Sequence, residues 1–431
     1  MKTIVNAVLV FVLLVLLIIS TGCKKVKLPS VETVQISDIM ENSAVVNYKI
    51  HEDGGGSISY HGVSWDLSPD PTTFLTTKTI EQGGPYGSSY GEYWALITGL
   101  GYGKTYHVRA YATNSAGTSY GKDLTFSTKT IAPPAGVKTK PVSALGSWAV
   151  ISGGSFTSVG GSSEVECGLC WDLVQGPTTG SNKIFYNSSD VFSFTSIMTN
   201  LAPNTTYFAR AYVSNPAGTV YGNEISVTTT SNVTDVENRT YHTVNIGTQV
   251  WLMENLATTK FNDGSPIPQI TSQPTWDNLS THAFCWFNNE KPLADDFRGA
   301  LYNWHAVNTG KLCPAGFHVP TIDEWNAMTE YLGGSAAAAG EMLKPNEMQW
   351  GDVEYGVISD SCLFWGILCG TRDTIVGFQG LTGCGIYETS HYWSSTPEGT
   401  SQAWAFVLYM GSTDKHEFSL KNGYSVRCLK D

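Results

Sequence analysis

Alternating apolar and polar residues mark the first half of the chain. Tyr106, Val108, Ala110 and Ala112 alternate with more polar neighbours, and this period of two predicts a strand with one buried face. The stretch KTYHVRAYATNSAGTSYG that contains them recurs downstream, with changes, as TTYFARAYVSNPAGTVYG. A repeat of this length indicates two copies of one domain, each built from short strands joined by turns.

The pattern changes after Val233. PTIDEWNAMTEYLGG combines a capping box, formed by Thr321 and Glu324, with apolar residues at helical spacing and terminal glycines, so it predicts a helix. RTYHTVNIGTQVWLMENL alternates around a glycine turn and predicts a hairpin. Helices and strands separated by long loops predict an α+β domain over residues 232–431. The expected fold class is multidomain, with two all-β units before this α+β domain.

The first residues predict export. Lys2 and the apolar run 7–19 form a secretory signal that is too short to span a membrane. ISTGC, which ends at Cys23, resembles a bacterial lipobox, and the resemblance implies cleavage before this cysteine and its lipidation. We expect a signal peptide at 1–22, a tether at 23–28 and a lipid anchor in the bacterial outer membrane. A plain signal peptide is the alternative, and the sequence leaves open whether the body faces the surface or the periplasm.

Charge and the repeat argue against two classes of ligand. The formal net charge is -12, which argues against nucleic acid and leaves the lipid as the expected membrane contact. GLGYGKTY, which ends at Tyr106, is similar to a phosphate-binding loop, but the second copy has NLAPNTTY there, without the glycines or the lysine. A strand follows, whereas a phosphate loop opens a helix. We therefore expect no nucleotide and no other cofactor.

The shared turn and strand resemble a known module. The fibronectin type III pattern Leu-x-Pro-x-Thr-x-Tyr is matched by Leu201, Pro203, Thr205 and Tyr207. That module is an immunoglobulin-like sandwich in which the tyrosine hydroxyl ties a corner between two strands. The resemblance implies corner roles for Tyr106 and Tyr207 and places the two modules at 29–130 and 131–231.

Alignment of the two copies removes two apparent catalytic motifs. GTSYG fits the serine-hydrolase elbow, but Ser119 aligns with Val220, so no nucleophile is expected there. Cys167 and Cys170 imitate a redox pair. Within a strand, a separation of three residues places them on opposite faces and out of disulfide reach. We interpret both cysteines as packing residues.

Six motifs in the C-terminal domain carry a second resemblance. They occur in the order YHTVNIGTQVWLMENL, GALYNWHAV, LCPAGFHVPTIDEW, AGEMLKP, YWSST and GYSVRCLKD, and they are similar to the Fibrobacter succinogenes major paralogous domain. The resemblance implies a C-type lectin-like fold for 232–431 and a distant likeness to formylglycine-generating enzymes. Those enzymes carry two copper-binding cysteines five and ten residues before a cysteine of the last strand. If Cys428 is that cysteine, the positions hold Gly423 and Phe418, so we expect no enzyme and no catalytic residue.

Three tryptophans of this domain lie outside those motifs. Trp276, Trp286 and Trp365 would stack on a sugar ring or anchor a protein if their indoles are exposed, and the alternative is packing beneath long loops. QPTWDN holds scrambled pieces of the calcium and sugar motifs of C-type lectins, but it precedes the helices, so we expect no metal site. His305 and His318 are interpreted as structural residues because no second ligand follows at a recognisable spacing.

The order of parts indicates a lipid-anchored stalk of two modules that presents a lectin-like head. Export permits disulfides, and the lectin-like resemblance implies a bond between Cys313, just before the main helix, and Cys428, in the last strand. The architecture resembles that of bacterial adhesins, so we expect a non-enzymatic protein whose head binds a glycan or a surface protein. The alternatives are a structural spacer or assembly subunit without a soluble ligand and, third, an enzyme of unrecognised chemistry in the head.

Overall fold

The structure is a computed structural model that describes residues 25–82, 90–187, 192–292, 297–342, 362–364, 366–367, 369–380, 389–409 and 411–431. The chain divides into two compact units. The first ends at Pro133 and also includes Val159–Ser163 and Asn215–Gly218, and the second holds the other residues up to Asp431. Among the helices that the structure describes, none has the length and hydropathy needed to cross a membrane.

The first module is a sandwich of two antiparallel sheets. Its described strands are β1 Ser30–Ser37, β2 Ser43–Glu52, β3 Tyr60–Asp66, β4 Glu81–Gln82, β5 Gly91–Thr98, β6 Thr105–Asn114, β7 Gly117–Tyr120 and β8 Leu124–Ser127. One sheet has the order β1-β2-β5, and the other has the order β4-β3-β6-β7 with β8 also on β6. Strand β2 buries alternate residues, as its sequence period requires. Val46 and Tyr48 thereby face Val63 and Val108 of the other sheet in one core.

The second module repeats this arrangement. Its described strands are β9 Lys138–Thr139, β10 Ala144–Gly146, β11 Val150–Ser155, β12 Glu166–Asp172, β13 Asn182–Asn187, β14 Ser193–Met198, β15 Thr206–Asn215, β16 Gly218–Tyr221 and β17 Ile225–Thr228. The order β13-β12-β15-β16, with β17 on β15, matches the larger sheet of the first module. The duplication in sequence is therefore a duplication of the sandwich.

The C-terminal part contains both strands and helices. Its described strands are β18 Val233–Thr234, β19 Thr240–Tyr241, β20 Thr243–Ile246, β21 Gln249–Leu252, β22 Phe284–Cys285, β23 Leu301–Tyr302, β24 Phe317–His318, β25 Thr371–Asp373, β26 Gly377–Gln379, β27 Thr389–Glu398, β28 Gln402–Tyr409, β29 Thr413–Ser419 and β30 Leu429–Lys430. Its helices are α1 Gln273–Trp276, α2 Trp304–Val307, α3 Ile322–Tyr331 and α4 Ser335–Met342. Helix α3 begins with the capping box that the sequence predicts, formed by Thr321 and Glu324.

The second sandwich and the C-terminal domain share one sheet. Strand β10 pairs with β11 of the sandwich on one side and with β20 of the C-terminal domain on the other. The contact with β20 consists of the pairs Leu145↔Asn245 and Gly146↔Val244. The result is an eight-stranded sheet with the order β14-β11-β10-β20-β21-β30-β24, in which β9 also pairs with β11. Two domains that follow each other in sequence are thus joined by backbone hydrogen bonds.

Helices α3 and α4 belong to the cluster on one face of this shared sheet. Directly paired residues of a sheet lie on the same face, so Ile151, Val244 and Trp251 lie together through the pairs that connect β11, β10, β20 and β21. They belong to one buried cluster with residues of the helices, namely Trp325, Met328, Ala338, Ala339 and Met342. Burying one large apolar side chain stabilises a fold by about 1.5–3 kcal/mol. This cluster therefore contributes more free energy to the association of the two domains than the two residue pairs between β10 and β20.

Close packing requires a glycine where β10 meets β20. A Cβ on Gly146 would lie 2.9 Å from Ala149 O in the sandwich itself, and 3.1 Å from Thr243 O and 3.4 Å from Met253 Sδ of the C-terminal domain. The first module has Met40 at the equivalent position, since Lys129 N donates to Met40 O as Thr230 N donates to Gly146 O. Met40 is 47% exposed. A sandwich of this type thus accepts a side chain at this position when no strand lies beside it, and the contact with β20 adds the constraint that favours glycine.

We expect Gly146→Val to destabilise the second unit by about 1–3 kcal/mol, because the added side chain pushes β10 away from β20. Differential scanning calorimetry of the full chain would record the unfolding of both units. The transition of the second unit should move to lower temperature while that of the first stays in place. Met40→Val is the matched control, and a loss of stability as large as that of Gly146→Val would contradict this explanation.

Candidate functional site

Trp276 and Trp286 are buried. Trp276 is 0% exposed, and its Nε1 donates a hydrogen bond to Lys421 O at 2.6 Å. Trp286 is 4% exposed, and its ring meets that of Phe284 edge-on with 5.5 Å between centroids. The prediction that exposed indoles form a binding surface is therefore wrong for both, because neighbouring loops and strands cover them. Trp365 lies outside the described residues.

A buried arginine packs against Trp276. Arg372 of β25 is 0% exposed, and its guanidinium carbon lies 4.4 Å from the ring centroid of Trp276 and 4.9 Å from that of Phe378. Its three nitrogens donate to Ile270 O at 2.6 Å, Thr271 O at 3.0 Å and Gln273 Oε1 at 2.9 Å. These three acceptors carry no formal charge, so carbonyl dipoles and aromatic faces stabilise the cation. The arginine fixes β25 to the loop before α1.

Polar side chains surround this arginine at the base of the hairpin β25-β26. Gln273 Nε2 donates to Asp277 Oδ1 at 2.7 Å and to Asp373 O at 3.0 Å. Asn422 Nδ2 donates to Asp373 Oδ2 at 3.3 Å and to Tyr424 Oη at 2.8 Å. In the described part of the chain, no group of three or more His, Cys, Asp or Glu side chains is placed to hold a metal ion. The bonds seen here hold the hairpin base in one position.

Two buried thiols are protonated at neutral pH. Burial raises the pKa of Cys285 to about 11, although the nearby Arg372 acts in the opposite direction. Burial also raises the pKa of Cys170 to about 11. A protonated, buried thiol is a poor nucleophile and a poor metal ligand. Cys167 and Cys170 are separate buried residues, which agrees with their interpretation as packing residues.

Cys313 and Cys428 form a disulfide bond, the pair that the lectin-like resemblance implies. Their Cα atoms are 6.0 Å apart, and the cysteines are separated by 115 residues. Closing a loop of this length removes conformational entropy from the unfolded chain. The bond lies where β24 and β30 pair, so it crosslinks one end of the shared sheet. Cys23, the predicted lipidation site, lies outside the described residues.

Both predicted corner tyrosines bind the backbone upstream of them. Gly101 N donates to Tyr106 Oη at 2.8 Å, and Ala202 N donates to Tyr207 Oη at 3.0 Å. The equivalent bond in both copies shows that the turn before β6 and the turn before β15 have the same construction. The stretch that is similar to a phosphate loop is this turn, and a strand follows it.

Gly423 and Phe418, the positions that would hold copper-binding cysteines if Cys428 is the strand cysteine of that resemblance, both lie against other side chains. A Cβ on Gly423 would lie 3.0 Å from the ring of Trp276 and 3.1 Å from Arg372 Cβ. Gly423 also exchanges backbone hydrogen bonds with Arg372, at 2.9 and 2.7 Å. The ring of Phe418 lies 5.1 Å from that of Tyr424. Close packing thus occupies the place of both thiols.

His318 lies between two carboxylates that sequence reasoning did not connect with it. Its Nδ1 is 2.8 Å from Asp431 Oδ1, and its Nε2 is 3.1 Å from Glu324 Oε1. Glu324 also caps α3. Because Asp431 is 113 residues away in sequence, local spacing could not reveal this group. The cluster connects the start of α3 to the residue after β30. The predicted structural histidine of α2, His305, has a pKa lowered by burial.

We expect Trp276→Ala to cost about 3–5 kcal/mol of stability, because it removes a fully buried indole and leaves a cavity. Phe74→Ala in the first module is the matched control, since Phe74 is 96% exposed and its loss should change stability by less than about 0.5 kcal/mol. Urea unfolding of the full chain measures both. Equal effects would contradict the burial of Trp276.

We expect His391 to make the stability of the C-terminal domain sensitive to acid. Burial, with a smaller effect of His416, lowers the pKa of His391 to about 4. The unfolded chain therefore takes up the proton more readily, so stability is present above about pH 6.5 and falls as the pH drops towards 4. The loss should reach roughly 3 kcal/mol. His391→Phe should lose less stability between pH 7 and pH 4, as measured by denaturant titration, and an unchanged pH dependence would exclude this role.

Solved structures with similar regions include fibronectin-type domains. The FN1-FN3 domains of chicken CNTN1 are 16% identical, with 47% of this chain and 69% of that chain covered and a TM-score of 0.23. Two structures of the sensor domain of the anti-sigma factor RsgI4 in Pseudobacteroides cellulosolvens are 15% identical, with TM-scores of 0.20. They cover 25% and 22% of this chain, and 100% and 76% of their own. Since these TM-scores are low, the sandwich assignment depends on the strand order given above.

The C-terminal domain matches a family. No curated protein matches the chain. Residues 244–430 match the model of the family described as the Fibrobacter succinogenes major domain, the one that the six motifs resemble. The chain therefore contains β-sandwich modules followed by a Fibrobacter succinogenes major domain.

Proposed function

We propose that this protein is a non-enzymatic lipoprotein of the bacterial cell envelope that presents its C-terminal domain to a partner protein. The anchor is the lipid on Cys23 in the outer membrane, and the head has the lectin-like fold that its motifs imply. The observation that carries the proposal is the sheet shared by the second sandwich and the head. A continuous sheet prevents free rotation between the two, which suits a domain that must be held out for recognition.

The contact surface that we propose is the tip of the hairpin β25-β26. Ile375 and Val376 are 90% and 59% exposed. Asp373 Oδ1 accepts hydrogen bonds from both of their backbone N–H groups, at 2.7 and 3.3 Å. Below the tip, Arg372 fixes the hairpin to the domain. Two aliphatic side chains on a rigid base are thus displayed to solvent, where they would bury apolar surface on a partner.

The chemistry of the tip favours protein over glycan as the partner. Sugars stack on flat aromatic rings, but the two tryptophans of the glycan hypothesis that the structure describes, Trp276 and Trp286, are buried. Aliphatic side chains such as those of Ile375 and Val376 instead fit an apolar pocket of another protein. A spacer without a partner is the second reading, and it would leave the exposed tip without a role.

Crosslinking on intact cells, followed by purification of the full chain, tests the proposal. The wild type should capture a defined envelope protein, and the double variant Ile375→Asp with Val376→Asp should lose at least about tenfold of that capture. The matched control replaces Leu173 and Val174, which are 58% and 70% exposed in the second sandwich, by aspartate. The control should keep the partner.

Three results would contradict the proposal. Equal loss in both double variants would mean that capture depends on surface hydrophobicity in general. Capture that survives the change at the hairpin, or binding of the purified chain to a glycan array with or without calcium, would place recognition elsewhere. A chain that captures nothing while folded would support the spacer.

A further inference from the structure

The smaller sheet of the first module ends in an edge strand that lacks the usual protection. Edge strands are normally blocked by bulges, prolines or lysines, because their free backbone groups pair with other chains. Strand β1, at one edge, carries an irregularity between Thr33 and Gln35. Strand β5, at the other edge, pairs regularly with β2 along its whole length, and its sequence GEYWALIT contains neither proline nor lysine. Its one charged residue, Glu92, forms an ion pair with Lys49 of β2.

Strand β5 also carries exposed apolar side chains on its outer face. Trp94 and Leu96 are 68% and 52% exposed. They lie opposite Asn47 and Val45 of β2, so they extend an outer surface of the sheet. The inner residues Ala95 and Ile97 are buried in the core of the sandwich. The strand is therefore well ordered by its inner face while its outer face offers an apolar surface.

The second module shows how this chain completes the same sheet. There β10, the counterpart of β1, continues the sheet into β20, while β14, the counterpart of β5, is the last strand of the sheet. The outer face of this sheet is part of a buried cluster. The pair Ile151↔Ile197 of that face corresponds to the pair Val45↔Leu96 of the first module. On β14, Ile197 is half-buried and packs against that cluster, whereas its counterpart Leu96 is 52% exposed. The outer face is thus covered in the second copy, whereas in the described residues of the first copy Trp94 and Leu96 are exposed on it.

We propose that β5 pairs in antiparallel fashion with β5 of a second copy of this chain, which forms a six-stranded sheet across a twofold axis. Antiparallel pairing of one strand with itself is symmetric by construction, so each contact is made twice. The proposed partner of β5 is therefore the same strand in a second copy of the chain. This association involves only the first module and is separate from the proposed recognition by the head.

One register fits the side chains. In antiparallel pairing, residues that lie opposite each other share a face. A twofold axis at Ala95 places Trp94 opposite the second copy's Leu96, and Leu96 opposite its Trp94, which gives two aromatic-aliphatic pairs on the outer face. The same register places Glu92 opposite the second copy's Thr98, so no carboxylates face each other. Centring the axis on Trp94 would instead set Glu92 against an apolar leucine.

Cysteine crosslinking of the full chain tests both the association and its register. Opposed residues of an antiparallel pair have Cα atoms roughly 4.5–5.5 Å apart, within disulfide reach. A mixture of Glu92→Cys and Thr98→Cys should therefore form dimers on mild oxidation, and each variant alone should form at least about tenfold fewer. The wild type is the control for the native cysteines. Dimers from a single variant in equal yield would overturn this register.

Light scattering of the purified full chain in mild detergent measures the mass directly. At high protein concentration the protein component should approach twice the mass of one mature chain. Trp94→Ser should weaken the dimer at least about tenfold, because the substitution in both copies removes both pairs of Trp94 with Leu96. Leu67→Ser, in an exposed position outside the sheet (55% exposed), should not.

The fold of each variant is checked by calorimetry. A monomer at every concentration together with absent crosslinks would overturn the proposal, whatever the head binds. A dimer that survives Trp94→Ser and fails to crosslink at Glu92 and Thr98 would place self-association on another surface and would also overturn it. Loss of partner capture by the head in the hairpin variant, with the dimer intact, leaves this inference unaffected.

Discussion

The pairing of β10 with β20 is the constraint on which the second unit depends. Two residue pairs alone supply few hydrogen bonds, and each contributes only about 0.5–1.5 kcal/mol net. Their importance is geometric, because they align two sheets into one surface. Ile151 of the sandwich and Trp251 of the head then lie on the same face and join one buried cluster with α3 and α4. Gly146 makes this alignment possible by leaving room for Thr243 O.

Buried arginines hold the irregular parts of the head against this framework. Arg427 is 0% exposed, and it donates to Leu252 O and Asn255 Oδ1 at 3.0 and 2.9 Å. Its guanidinium carbon lies 4.2 Å from the ring centroid of Phe364. Arg372 likewise holds the hairpin β25-β26 against the rest of the domain. Burying a cation costs free energy unless its N–H donors are hydrogen-bonded. Carbonyl oxygens of segments with little regular structure accept these hydrogen bonds, so the segments are held in one arrangement.

Sequence patterns formed by neighbouring residues predicted the local features of the structure. The capping box of α3, the strand period of β6 and the tyrosine corners depend on residues a few positions apart, and the repeat allowed the last two to be checked against their copies. The strand β10 has only three residues, Ala144–Gly146, and its partner comes from another domain, so no local pattern could reveal the shared sheet. The burial of Trp276 depends on Arg372 and Lys421, both far away in sequence. An arginine is normally expected at the surface, so sequence reasoning had no reason to place Arg372 in the core.

The two sandwiches show that copies of one fold diverge at their edges. Their interiors keep the same constraints, because both must bury alternate residues of paired sheets. Their edge strands can change more freely, since the residues that suit such a strand depend on whether another strand lies beside it. Where the head follows directly, the second copy has Gly146, small enough for a neighbouring strand; the first copy has the bulkier Met40 at that position and keeps Trp94 on an open strand. The differences between the copies therefore carry more functional information than the residues that they share, which mainly maintain the sandwich.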